Sequence, residues 1–153
     1  SSAITTAPFM ATGKIGTPQL HALPDILDRL RDHGLFRVVL IHHPPITKPS
    51  HRFKRLLDAD KFREVLSRHG AELVLHGHDH IHSVVWLDGP AAKIPAVGVP
   101  SASAAGGEGD LAAYNLYAIG KSGNGWRCEA VTRGFRHGSD VIEEMTRREL
   151  VAV

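Results

Sequence analysis

Two short apolar runs in this chain each end in histidines, and that pairing constrains its fold more than any other feature. Residues 36–41 lead into His42-His43-Pro44-Pro45, and residues 72–76 lead into Gly77-His78-Asp79-His80. Short, β-branched runs bounded by turn residues have the pattern of buried strands, so ligand-type side chains are expected at two strand ends. Eight of the eleven histidines fall between His42 and His82. Imidazole is the commonest side chain for holding a transition metal near neutral pH, which points to metal chemistry.

The residues around the histidines sharpen this. Pro44 and Pro45 lock the backbone after His43 into an extended turn that fixes the direction of both imidazoles. A His-His pair is a weak motif by itself, equally compatible with a core imidazole bonded to a backbone carbonyl. The second cluster is stronger. Gly77 lets the backbone turn tightly, and imidazoles two residues apart, at His78 and His80, can converge from one bend. His76 and His82 flank the bend and read as supporting partners or strand surface, and Asp79 as orienting the turn or facing solvent.

Elsewhere the pattern mixes helix and strand. Thr17-Pro18 resembles an N-cap followed by proline, and Leu20, Leu23, Leu27 and Leu30 then recur at helical spacing, predicting a helix over 17–33 with a kink or break at Pro24. Asp58 or Asp60 is expected to cap a second helix, with Phe62, Val65 and Leu66 on one face and Gly70 at its end. Further strands are expected over 83–87, 94–99, 114–119 and 126–132, a loop over 101–110, and a short helix or frayed tail over 143–149. The fold class is α/β, and residues 1–153 are expected to form a single domain.

With 42% hydrophobic and 22% charged residues, the composition is that of an ordinary globular domain. A net charge of +2 gives no argument for long nucleic acid as a partner. The single cysteine, Cys128, excludes an intrachain disulfide framework and fits a reducing cytoplasm. No run of about 18 apolar residues suggests a membrane span. The basic residues Lys48, Arg52, Lys54 and Arg55 read as a solvated loop before they read as a phosphate-attracting patch. Gly107 and Gly109 superficially match a dinucleotide fingerprint but do not follow a strand directly, and strand instead of helix is expected after them.

Together, residues 38–45 and 73–80 resemble the last two metal-binding motifs of the calcineurin-like metallophosphoesterases, and residues 12–30 and 96–103 are also similar to bacterial members related to cyclic-nucleotide phosphodiesterases. The resemblance implies part of a four-layer α/β/β/α sandwich with mixed sheets. It further implies that His42 and His78 bind one metal of a dinuclear site, that His80 binds the other, and that His43 lies near the substrate. The implied reaction is hydrolysis of a phosphomonoester or phosphodiester, with two Mn, Fe or Zn ions stabilising the charge that develops at phosphorus.

The family's Asp-x-His, Gly-Asp-x-x-Asp and Gly-Asn-His motifs do not occur in residues 1–153, and Asp58, Asp60 and Asp110 match none of its patterns. The chain therefore reads as the C-terminal part of such a domain, at most weakly active alone, with no catalytic residue assigned. A missing N-terminal half or self-association would complete it. Three imidazoles without a bridging carboxylate should hold at most one ion, and loosely. The competing expectation is a non-catalytic binding or scaffold module that keeps a vestigial metal site.

Overall fold

The structure is a computed structural model that describes residues 1–47, 53–104, 110–123 and 125–152. Among these the elements run α1 (Thr17–Asp32), β1 (Val38–Leu40), α2 (Ala59–His69), β2 (Leu73–His76), β3 (Ser83–Leu87), β4 (Ile94–Gly98), β5 (Ala113–Ser122), β6 (Gly125–Gly134) and β7 (Glu143–Ala152). The fold is mixed α/β, with a four-stranded sheet ordered β1-β2-β4-β3 and a three-stranded sheet ordered β5-β6-β7. Two compact units divide it: Ser1–His78 with Ser83–Gly98, and Asp79–His82 with Val99–Val153.

In the first unit, α1 buries Leu20 and Leu27 and runs through Pro24 without ending. An interior proline costs about 3 kcal/mol, and burying two leucines returns about 1.5–3 kcal/mol each, so packing outweighs the lost backbone bond. Thr17 is the first helical residue and not the expected cap; Gly16 precedes it and offers no side chain. Asp58 instead ties down the approach to the helix, its carboxylate accepting the N–H groups of Ile15 at 2.9 Å and Gly16 at 2.8 Å. With both oxygens committed there, Asp58 stands at the N-cap position of α2 but makes no cap bond to it.

α2 turns Phe62 and Leu66 inward and ends at Gly70, whose φ of 75° suits a residue without a Cβ. As the connection between β1 and β2, it joins two parallel strands, and β2 pairs in parallel with β4 while β3 runs antiparallel to β4. Because side chains alternate along a strand, Val39, Val74 and Ala96 share one face, and all three belong to or pack on the core formed with Leu27, Phe62 and Leu66. Val38 and Leu40 point the other way. They remain exposed, Leu40 by 75%, which corrects the expectation that residues 36–41 form a buried strand. β1 is an edge strand, and the helical core covers only one of its faces.

The second unit is built on the β5-β6 hairpin, with β7 antiparallel to β6. β7 corrects the expected helix or tail over 143–149. Its residues lack strand-like apolar alternation, and what organises them is non-local: Arg127 donates to Glu149 at 2.5 Å, and Arg147 pairs with Glu129 across the ladder.

Candidate metal centre

The parallel register of β1 and β2 continues beyond the strands themselves. Ile41 N–H donates to the Leu75 carbonyl and Gly77 N–H to the His42 carbonyl, each at 3.0 Å. The two histidine motifs therefore leave the sheet side by side at the carboxyl ends of adjacent parallel strands, where open α/β sheets place their ligands. His42 Nε2 lies 3.1 Å from His78 Nδ1. The His43 ring centroid is 4.3 Å from that of His78 and 5.0 Å from that of His42.

His42, His43 and His78 form the one group of three or more histidine, cysteine or acidic side chains whose donor atoms all lie within 4.8 Å of one another among the described residues. These three histidines can hold a metal ion. Two nitrogens bound to one ion at about 2.0–2.1 Å stand about 3–3.4 Å apart, so the His42–His78 pair already has the spacing of neighbouring ligands. In the metal-free pair, one nitrogen donates to the other.

His43 is held differently. It is 4% exposed; its Nδ1 is 2.8 Å from the hydroxyl of buried Ser2, and its Nε2 is 3.2 Å from the Ala11 carbonyl. A carbonyl only accepts, so in the neutral ring Nε2 carries the proton and Nδ1 accepts from Ser2. Ligation by His43 would require one of these bonds to open. The ring rests on Gly13, where any Cβ would overlap it. Arg63 of α2 donates to the Pro45 carbonyl at 2.7 Å, fastening the loop just after His43.

The remaining sequence-derived residues fall as follows. His80 is exposed and belongs to the second unit, with φ of 54°; His78 has φ of 71°. Left-handed backbone at a residue with a Cβ costs about 1–3 kcal/mol and concentrates at functional turns. His76 is buried in β2 against Gly98. His82 donates its backbone N–H to Asp110 at 2.6 Å. Lys54 and Arg55 are exposed, while Lys48, Arg52, Gly107 and Gly109 lie outside the described residues.

Ser2 is a contributor that sequence reasoning does not single out: its partner His43 lies 41 residues away, and no local pattern marks it.

No helix among the described residues is long and apolar enough to cross a membrane. No protein-family model matches the sequence, and no curated protein matches it.

Proposed function

We propose that the histidines at the ends of β1 and β2 form the imidazole part of a metal-dependent phosphoester-hydrolysing centre of the calcineurin-like type. The observation that carries this reading is the 3.1 Å approach of His42 Nε2 to His78 Nδ1, made by the two motifs that resemble that family. The donor set suits Zn, Fe or Mn. The resemblance would further give the fold an α/β/β/α sandwich and His80 the role of ligand to a second ion. Neutral imidazoles offset little of the charge of adjacent dications, so the three clustered histidines fit one ion and not two.

His42 and His78 would hold that ion. When bound, it supplies Lewis-acid stabilisation of the charge that builds on a phosphoryl group. His43, fixed between Ser2 and Ala11, packs against His78 and lines the substrate side. The substrate class is a small phosphomonoester or phosphodiester, since a net charge of +2 gives little attraction for long nucleic acid. A reducing compartment such as the cytoplasm suits the single buried thiol.

One observation favours a second reading, a binding module that holds metal without turnover: the histidine group contains no carboxylate. Both readings require metal, and only the first requires phosphoryl recognition. Cobalt-loaded protein is therefore expected to bind inorganic phosphate and bis(4-nitrophenyl) phosphate, with a change in its visible spectrum, and to hydrolyse the diester slowly if at all. His78→Ala should abolish the response. Metal loading with no response to either phosphate compound would overturn the hydrolase reading in favour of the binding module.

A further inference from the structure

Both ring nitrogens of His43 are engaged by the amino-terminal segment: Ser2 Oγ lies 2.8 Å from Nδ1, and the Ala11 carbonyl 3.2 Å from Nε2. Because that carbonyl only accepts, the neutral ring keeps its proton on Nε2, and the lone pair it could offer a metal ion is the one on Nδ1. The Ser2 hydroxyl donates to that lone pair. Ser2 is 2% and His43 4% exposed, so water is not at hand to replace the bond. His42 and His78 differ: the first is exposed, the second half-buried, and an ion has only to displace the proton they share across 3.1 Å.

We propose that Ser2 is a positioning residue that withholds His43 from the ion, so that two imidazoles bind it and positions stay open for a phosphoryl oxygen. The inference rests on the reading of His42 and His78 as ligands of a phosphoryl-binding centre. Distance does not keep His43 away, since the donor atoms of the three histidines lie within 4.8 Å of one another. What keeps it away is the cost of stranding a buried hydroxyl, together with the seating of the Nδ1 edge of the ring against Gly13. Metal sites closed by protein ligands are structural, whereas sites that act on a substrate keep a position open. One hydroxyl on the buried side of His43 thereby holds the centre in the open class. The competing role is packing alone, in which Ser2 steadies the amino-terminal segment and His43 joins the ion regardless.

Long-range proton–nitrogen NMR of the histidine rings, which reports the protonation and ligation of each nitrogen, separates these roles in metal-free and Zn(II)-saturated protein. In the unsubstituted protein His43 should keep its proton on Nε2 before and after Zn(II) is added, with ligation shifts confined to His42 and His78. In Ser2→Ala the His43 Nδ1 should shift as a third ligand. Zn(II) should then bind about 10–100-fold more tightly, because ligation no longer strands a buried hydroxyl. The Co(II)-loaded variant should lose most of its spectral response to inorganic phosphate. A His43 nitrogen that ligates in the unsubstituted protein, a proton on its Nδ1, or a Ser2→Ala protein with His43 unshifted and Zn(II) affinity unchanged would overturn the proposal. The first two outcomes need no variant, so misfolding of Ser2→Ala does not shelter it from refutation. If the unsubstituted protein takes up no Zn(II), the metal reading falls and this proposal with it; three ligating imidazoles would remove this proposal and leave the metal reading standing.

Discussion

Arg37 grips Glu72 bidentately at the amino ends of β1 and β2, opposite the ends that carry the histidines: Nη2 to Oε1 is 2.6 Å and Nε to Oε2 is 2.9 Å. The Arg37 backbone N–H reaches the same carboxylate at 2.6 Å, and Nη1 donates to the His69 carbonyl at 2.8 Å. The pair thus joins the start of β1 to that of β2 and to the end of α2. Its side chains are 8% and 19% exposed, so removing one partner leaves a largely buried charge. Glu72→Ala is expected to cost about 3–5 kcal/mol in urea unfolding, while Arg37→Met with Glu72→Leu should recover most of that. A single variant as stable as the unsubstituted protein would show that the ion pair does not tie the strands.

Gly13 is the floor beneath His43, and a methyl group there would meet the imidazole. Gly13→Ala should destabilise the fold by about 1–3 kcal/mol, because the ring must shift in packed surroundings. Ser2→Ala should cost a similar amount, about 1–3 kcal/mol, by leaving the buried Nδ1 without its donor. Chemical denaturation of both variants checks this, and two unaffected midpoints would mean that His43 is not held as described.

The sequence makes the elements and the histidine ends readable because both are local: apolar runs, helical leucine spacing and ligand residues at run ends survive as pattern. Even the carboxyl-end location of His42 and His78 follows from where those runs stop. What could not be read is whatever depends on pairing across distance. Leu40 looks like a core residue until β1 proves to be an edge strand with one covered face. Residues 143–149 look helical or frayed because the cross-strand partners Glu129 and Arg127 that order them sit on β6. Asp58 looks like the cap of its own helix and serves the approach to another.

Acid should weaken the first unit through Asp28. The hydrogen bond from His69, 2.9 Å away, and then the Arg31 charge hold its carboxyl below the ordinary value of 3.8. A carboxyl depressed in the folded state contributes stability that is present above its unfolded value and is lost as pH falls through the folded one. Melting temperatures followed downward from about pH 5 should therefore fall more steeply for the unsubstituted protein than for Asp28→Asn. Parallel curves would contradict the pairing.

Cys128 is fully buried in β6, and burial pushes its thiol pKa up. A buried, protonated thiol is a poor nucleophile. Ellman's reagent should react with one thiol per chain in denaturant and with almost none in the native protein. Rapid native labelling would mean that the second sheet opens readily.

Equilibrium titration with Zn(II) or Co(II) tests the central claim most directly. The account predicts one saturably bound ion per chain, lost in both His42→Ala and His78→Ala, with the double variant no worse than either single one because the two imidazoles act on one ion. No saturable binding by the unsubstituted protein, or binding that survives His78→Ala unchanged, would contradict it.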